Sequence, residues 1–277
     1  MVIAKTVFIF LLLAALQGCS VTRLAYNNAD TFLRWQANSY FDFQGEQSEE
    51  LDRALIAFLA WHRTKALPEY ARLAEDAAAR IQRGARREDL EWGYDAIRVQ
   101  AREALSAAAA ESAGLLDRLS PAQITHLELR LAEENRKFAK EQVQGTVEER
   151  HKRRVKRTAD QLEEWFGALS DAQIERVQRF SARAPFSAEL RDRDRKRNQA
   201  ALLAILRARE AKQRLAPWAQ GWENGREPAY AEAVRATQAE FFDLLLDVER
   251  TLSPAQREHV SGRLRRYAAL FDSMARQ

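Results

Sequence analysis

The sequence has few of the residues that cross-link small exported proteins or interrupt helices. Its 277 residues include one cysteine, Cys19, with ten glycines and six prolines. A single cysteine excludes an intramolecular disulfide, so the fold has to rest on its hydrophobic core. The scarcity of glycine and proline, beside abundant alanine, leucine, arginine, glutamate and glutamine, favours helix nearly throughout the chain.

Motifs for catalysis and for cofactor binding are also missing from the sequence. The chain has no glycine-rich phosphate loop, no H-E-x-x-H metal helix and no G-x-S-x-G nucleophile turn. Neighbouring acids such as Glu133 and Glu134 project from a helix in different directions, so they are not paired for acid–base chemistry. We therefore expect a protein that acts by binding and not as an enzyme, with no cofactor and no metal.

Hydrophobic residues make up 46% of the chain and charged residues 30%, a composition that is apolar enough to fold. No run of residues alternates apolar and polar positions in the way of a strand. The prediction is an all-α bundle of long antiparallel helices joined by short capped turns. It forms a single domain over residues 29–277, with a possible subdivision near 145–167.

Three stretches give this prediction its detail. The segment from Pro121 to Gly167 is either one very long helix or a pair interrupted near Gly145, and we favour the interrupted pair. Helical periodicity then predicts one helix from about Ala188 to Leu215. The residues from Ala216 to Pro228 contain two prolines and two glycines and are predicted to be loop-rich.

The N-terminus carries an export signal. Lys5 precedes an apolar run of ten residues, Val7 to Leu16, which is too short to cross a bilayer that needs about 20. The segment Leu16-Gln17-Gly18-Cys19 resembles the lipobox of bacterial lipoproteins. That resemblance implies cleavage of a signal peptide, residues 1–18, and acylation of Cys19, with residues 19–28 as the lipidated tether. The alternative is a buried thiol within an uncleaved membrane anchor.

The position after the cysteine also carries information on location. In lipoproteins of this kind, a residue other than aspartate after the cysteine is associated with sorting to the outer membrane, and here that residue is Ser20. The resemblance therefore implies a protein that is anchored to the bacterial outer membrane by palmitate-like acyl chains and faces the periplasm. Two or more such chains hold a protein stably, at about 0.8 kcal/mol for each buried methylene.

Charge is nearly balanced overall but clustered locally. Removing residues 1–18 takes away Lys5 and no acid, so the 44 basic residues fall to 43 against 40 acids. Basic stretches lie at Arg150–Arg157, Arg191–Arg197 and Arg265–Tyr267. Export argues against nucleic acid as the partner. These stretches are interpreted either as solvated helix faces or as contacts with an envelope protein, an anionic lipid or lipopolysaccharide.

One pentapeptide, L-S-x-A-Q, occurs three times. In each copy the serine suits a helix N-cap, and the glutamine three residues later completes a capping box. Proline follows the serine in two copies, at the first helical position, and the leucine before the cap suits a hydrophobic staple. The motif is therefore predicted to mark tight helix–helix junctions. Its residues are Leu119, Ser120, Pro121 and Gln123; Leu169, Ser170 and Gln173; and Leu252, Ser253, Pro254 and Gln256.

Two copies extend to S-P-A-Q-x-x-H, which places His126 and His259 one helical turn after the motif glutamine. If the two junctions met in space, the histidines would make a two-histidine metal site. The alternative is a pair of helix starts of common origin, each with a histidine at the surface or at the boundary of the core. The sequence leaves the two-histidine site open, but we expect that the protein holds no metal.

Aromatic residues cluster near the tether and again in the predicted loop. They are interpreted either as core between helices or as a surface that contacts a partner or the bilayer. The candidates for partner binding are Trp35, Tyr40, Phe41, Trp61, Trp218 and Trp222.

Two resemblances bear on function. The L-[ST]-x-x-Q helix starts are similar to those of the Spy-like and CpxP-like periplasmic chaperones. RLAYNNADTFLRWQANSYFDF at Arg23–Phe43, with LDRAL, FLAWHR and LPEYARL downstream, resembles an uncharacterised family of proteobacterial lipoproteins, a domain of unknown function. We expect an outer-membrane lipoprotein that binds or scaffolds an envelope component; the alternative is a chaperone-like holder of unfolded clients.

Overall fold

The computed structural model describes residues 23, 24 and 26–277. The predicted signal peptide and Cys19 lie outside the described residues. Within them the chain forms helices and no strand, which confirms the all-α prediction. None of the described helices combines the length and the apolar character that crossing a membrane requires.

The chain consists of long helices separated by short connections, and two of the helices end in π-helical turns, His62–Ala66 and Ala139–Val143. In chain order the α-helices are α1 (Ala29–Phe41), α2 (Glu46–Trp61), α3 (Leu67–Gln82), α4 (Arg87–Leu116), α5 (Pro121–Phe138), α6 (Val147–Phe166), α7 (Asp171–Arg183), α8 (Ala188–Ala208), α9 (Ala211–Gln220), α10 (Pro228–Glu249) and α11 (Pro254–Ala275).

The predicted interruption near Gly145 is confirmed. Helix α5 runs into the second π-helical turn, and α6 begins only at Val147. Gly145 has a φ of 102°, a backbone conformation that glycine adopts readily. Thr146 then caps α6, since its side chain accepts a hydrogen bond from the backbone N–H of Glu149.

The prediction for residues 188–228 is wrong in two places. Helix α8 ends at Ala208, and Arg209 takes a left-handed conformation with a φ of 55°. A further helix, α9, begins within the predicted helix and extends over the first five residues of the predicted loop, whereas residues 221–227 are non-helical as predicted. Its first N–H groups donate to the carboxylate of Asp117, at 3.3 Å for Lys212. This cap comes from the end of α4, far away in the sequence, so local patterns do not reveal it.

The helices form two four-helix units with the same packing order. In the first unit α2 packs against α4 and α1, and α1 packs against α5; in the second, α7 packs against α10 and α6, and α6 packs against α11. The remaining helices, α3, α8 and α9, each pack against a helix of the other unit. Helix α3 packs along α11, α9 packs along α4, and α8 packs against α5. The two units are therefore interlocked.

The described end of the predicted tether, residues 19–28, is not a free linker but is held against α3 and α11. The Arg23 guanidinium donates to the Ser273 hydroxyl at 2.7 Å, and the Tyr26 hydroxyl lies 3.1 Å from Nδ1 of His62. The same hydrophobic cluster contains Tyr26, Ala66, Leu67, Tyr70, Leu270 and Met274. The body of the protein is therefore fixed close to the point where the chain leaves towards Cys19.

His62 makes the stability of this cluster depend on pH. Burial lowers its pKa from 6.5 to about 4, so the folded protein holds the ring neutral where the unfolded chain binds a proton. The stabilising effect is complete above pH 6.5 and is lost as the pH falls towards 4. We expect the free energy of unfolding to fall by about 2 kcal/mol from this group between pH 7.5 and pH 5.

The measurement is urea unfolding at both pH values for the wild type, for His62→Phe, which keeps an aromatic ring among its neighbours, and for exposed His259→Gln as a control. His62→Phe is expected to lose this part of the pH dependence, and His259→Gln to keep it. An unchanged pH dependence in His62→Phe would contradict the assignment.

Candidate functional site

All three L-S-x-A-Q copies form the predicted capping box, on α5, α7 and α11. Each serine hydroxyl accepts from the backbone N–H of the motif glutamine at 3.1 to 3.3 Å. Each glutamine Oε1 accepts from the serine N–H at 2.9 to 3.0 Å. In the third copy, Arg257 stands where the other two have an apolar staple residue, and it pairs with Glu249 at 2.6 Å.

The motif glutamines also join junctions in pairs. Gln173 and Gln256 each donate to the other's Oε1, at 3.3 and 3.0 Å. Gln256 donates in addition to the carbonyl of Ala168 at 2.8 Å, and Gln173 donates to the carbonyl of Thr251 at 3.3 Å. Ala168 and Thr251 both directly precede the motif leucine. We call this reciprocal arrangement a glutamine clasp.

A second glutamine clasp contains a junction that is not recognisable from the L-S-x-A-Q pattern. Gln123 donates to Oε1 of Gln47 at 2.7 Å and to the Asp42 carbonyl at 3.1 Å. Gln47 donates back to Oε1 of Gln123 at 3.3 Å and to the Arg118 carbonyl at 3.4 Å. The segment FQGEQ at residues 43–47 has an apolar residue and a glutamine at the motif spacing, without the serine.

The two histidines of S-P-A-Q-x-x-H do not come together, because each of their junctions is clasped within its own unit. Nε2 of His126 lies 3.2 Å from the carbonyl oxygen of Ser39, whereas His259 is exposed on α11. Among the described residues no group of three or more histidine, cysteine, aspartate or glutamate side chains is arranged to hold a metal ion. The two-histidine site is therefore not formed.

The candidate aromatic residues differ in exposure. Trp35 is 64% exposed on α1. Tyr40 is buried in the core of the first unit, and Phe41, Trp218 and Trp222 are partly buried against that core. Trp61 packs against the cluster that holds the N-terminal segment. The core interpretation thus accounts for the environment of five of these residues, and Trp35 presents its ring to solvent.

Two basic stretches that are distant in sequence meet at a cleft of about 320 Å³. Helix α6 supplies Arg150, Arg153, Arg154 and Arg157, which share one helix face because their spacing is i, i+3, i+4 and i+7. Helix α8 supplies Arg191, brought opposite them by the short turn after α7. Four aromatic rings also line this arginine cleft: Phe138, Phe180, Phe186 and Phe241.

Aromatic rings hold several of these guanidinium groups in place. The guanidinium carbon of Arg154 lies 3.9 Å from the ring centroid of Phe186, and that of Arg150 lies 5.1 Å from it. Arg191 stands 5.4 Å from the ring of Phe138. Stacking uses the face of a guanidinium and leaves its N–H edge able to donate to an acceptor.

The arginines of the cleft have few carboxylate partners. Arg150 pairs with Glu189 at 2.7 Å, but Arg153, Arg154, Arg157 and Arg191 have no carboxylate within 4.0 Å among the residues described. Arg154 instead donates to the backbone carbonyls of Ala184 and Pro185, and Arg157 donates to the side chain of Gln142.

On the other face of α8, by contrast, the arginines are paired with acidic side chains. There, Arg193 pairs with Glu227 at 3.0 Å and Arg197 pairs with Asp194 at 2.9 Å. The same helix therefore neutralises the arginines on one face and leaves Arg191 unneutralised in the cleft.

Positive charge accumulates in the cleft as a result. Three carboxylates stand near the five arginines: Glu141 lines the cleft, Glu189 pairs with Arg150, and Glu149 approaches Arg153 beside Gly145, so a net formal charge of +2 remains. Desolvation, followed by repulsion from Arg191 and Arg153, lowers the pKa of Arg157. Desolvation, followed by repulsion from Arg157 and Arg150, lowers the pKa of Arg154. A bound anion would relieve this repulsion.

The N-terminus of α8 adds further donors to the same wall. Ser187 and Ala188 line the cleft, and the Ser187 side chain makes no capping hydrogen bond to the helix. The first backbone N–H groups of a helix lack intrahelical acceptors, and the helix dipole is positive at that end. Together with the arginines, they build a surface suited to an anion.

Comparison with known proteins places the chain in a family. Residues 39–223 match a family of unknown function, DUF6279. The chain belongs to the DUF6279 family. This confirms the predicted membership of an uncharacterised family. No curated protein and no solved structure matches the chain.

The matched part of this DUF6279 protein contains the five arginines of the cleft and the second glutamine clasp, between Gln47 and Gln123. The two sites differ in kind. The clasp side chains are bonded to one another and to the backbone, whereas four of the five cleft arginines lack a carboxylate partner within 4.0 Å. The arginine cleft is thus the candidate functional site, and its chemistry is that of anion binding.

Proposed function

We propose that this DUF6279 protein is a lipid-anchored, periplasm-facing lipoprotein of the outer membrane that binds an anionic component of the envelope in its arginine cleft. The observation that carries the proposal is the convergence of five arginines around a cleft with only one lining carboxylate. Uncompensated, partly desolvated positive charge is costly to maintain, and an anionic ligand would stabilise it. Binding, and not catalysis, is the activity.

The N-terminal sequence supports the location in this proposal. Leu16 to Cys19 resembles a lipobox, and Ser20 follows the cysteine. The described chain is fixed by Arg23 and Tyr26 only a few residues beyond Cys19. An acylated Cys19 would therefore hold the folded body close to the membrane surface.

The chaperone-like alternative rests on the likeness of L-S-x-A-Q to Spy-type helix starts. The serines and glutamines of the motif are used here in capping boxes and glutamine clasps, which account for the motif by architecture. The arginine cleft needs a different explanation, and for this reason we propose binding of a specific anionic component.

The test is in-cell photo-crosslinking from the full chain. A photoreactive residue replaces Gln161, an exposed residue that lines the cleft, or Ala269, an exposed residue on α11 outside the cleft. We expect an anionic adduct from position 161 and none of that species from position 269. A smear of many unfolded proteins from both positions would contradict the proposal and favour the chaperone-like alternative.

A further inference from the structure

The arginine cleft combines its positive charge with an apolar wall, and this combination narrows the chemistry of its ligand. Phe138, Phe180, Phe186 and Phe241 line the same space as the arginines. Phe138 and Phe180 are buried, at 5% and 7% exposure, whereas Phe186 and Phe241 are partly exposed. A small hydrophilic anion would leave the exposed parts of these two rings uncovered. A ligand that carries an apolar group beside its charge would cover them and gain from their removal from water.

The charge of the cleft favours phosphate over a carboxylate as the anionic group. A single carboxylate brings one negative charge, against a net formal charge of +2 in the cleft. A phosphate monoester brings about −1.5 to −2 at pH 7 and three acceptor oxygens. Arginine edges match such oxygens in a bidentate manner, and the N-terminus of α8 offers backbone N–H groups to the same position.

The size of the cleft sets a limit on how much of the ligand it encloses. At about 320 Å³ it lies at the lower end of ligand pockets, which span roughly 300–1,000 Å³. It accommodates a headgroup and the first carbons of an attached chain. The remainder of a lipid would stay outside the cleft.

We infer that the arginine cleft binds the phosphate monoester headgroup of a membrane lipid. The phosphate is held by Arg157, Arg191 and the N-terminus of α8, and the first carbons of the lipid lie along the partly exposed rings of Phe186 and Phe241. This inference rests on the proposed function, because it names the chemical class of the anionic component that the cleft binds.

The test measures binding of short-chain lipids to the purified full-length protein in a neutral detergent, by titration calorimetry. The probes are dihexanoyl phosphatidic acid, dihexanoylglycerol, inorganic phosphate and a hexaglutamate peptide. We expect phosphatidic acid to bind at least tenfold more tightly than any of the other three. Comparison of phosphatidic acid with dihexanoylglycerol gives the contribution of the phosphate to affinity, and comparison with inorganic phosphate gives the contribution of the acyl chains. The peptide represents an acidic protein partner.

The variants separate the cleft from general surface charge. Arg157→Gln with Arg191→Gln removes two cleft charges, and Arg265→Gln with Arg266→Gln removes two charges from exposed residues of α11. The first pair is expected to weaken binding of phosphatidic acid at least tenfold, and the second no more than twofold. The first variant relieves the repulsion between Arg157 and Arg191 but loses the bond to Gln142 and the contact with Phe138, so its unfolding midpoint is measured beside binding to separate loss of the site from loss of the fold.

The other possible outcomes contradict either the lipid inference alone or the proposed function as well. Tighter binding of hexaglutamate in the cleft would contradict the lipid inference and leave the proposed function standing. Equal affinity for inorganic phosphate and phosphatidic acid would show that the aromatic wall does not bind a chain, which also overturns the inference. Failure of every anion to bind, or equal weakening in both variants, would overturn the inference and the proposed function together.

Discussion

Replacing Gln173 by alanine is expected to lower the free energy of unfolding by about 3 kcal/mol. Gln173 is fully buried, and its side chain bonds to Ser170, Thr251 and Gln256. Removing the amide leaves the partly buried Gln256 side chain without this partner, and an unsatisfied buried polar group costs about 1–3 kcal/mol, whereas water can reach exposed Ser170 and Thr251. A small cavity adds to this cost.

The double variant of the clasp makes this prediction specific. In Gln173→Ala with Gln256→Ala both halves of the reciprocal amide pair are absent, so the loss should be smaller than the sum of the two single losses, by about 1 kcal/mol. Gln178→Ala, exposed on the same helix, serves as the control and should change stability by less than about 0.5 kcal/mol. Urea unfolding at pH 7.5 measures the free energy of unfolding of the wild type, the two single clasp variants, the double variant and the Gln178→Ala control.

Two results would contradict the clasp as a stabilising element. One is a Gln173→Ala variant that is as stable as Gln178→Ala. The other is strict additivity of the two clasp substitutions, which would mean that the two amides do not interact in solution.

Replacing Cys19 by alanine is expected to abolish lipid labelling of the protein. Stable anchoring requires two or more acyl chains, at about 0.8 kcal/mol for each buried methylene, and Cys19 is the only thiol in the chain that could carry them. The measurement is incorporation of labelled palmitate in cells, together with the size of the mature chain on a gel. Ser20→Ala, a change at the neighbouring residue, is the control and should keep the label.

Normal labelling and processing of Cys19→Ala would contradict the lipoprotein part of the proposal. It would leave the arginine cleft as an anion site with its location unexplained. The two parts of the proposed function are therefore tested independently.

Local interactions explain what could be predicted from the sequence about the junctions. A capping box involves residues only three positions apart, so the pattern at Ser120, Ser170 and Ser253 is sufficient to predict it. The clasp between Gln173 and Gln256 joins residues 83 positions apart, and no local pattern specifies that pairing. The L-S-x-A-Q pattern does not identify the junction at Gln47, because this segment lacks the serine that defines the motif.

In the arginine cleft, too, the local arrangement could be predicted from the sequence and the long-range arrangement could not. The spacing of Arg150, Arg153, Arg154 and Arg157 predicts that they share one face of a helix, which the sequence makes visible. That Arg191 joins them depends on the reversal of the chain between α7 and α8. The choice between a solvated helix face and a binding surface depends on where the acids lie, and only the packed structure shows that they pair with Arg193 and Arg197 instead.

The central claim is that the arginine cleft is where this protein binds its anionic partner. The most direct measurement is in-cell crosslinking from position 161, repeated in the two charge-matched variants. The account predicts that the adduct disappears with Arg157→Gln and Arg191→Gln and persists with Arg265→Gln and Arg266→Gln. An adduct that survives loss of the two cleft arginines, or is lost equally in both variants, would contradict it.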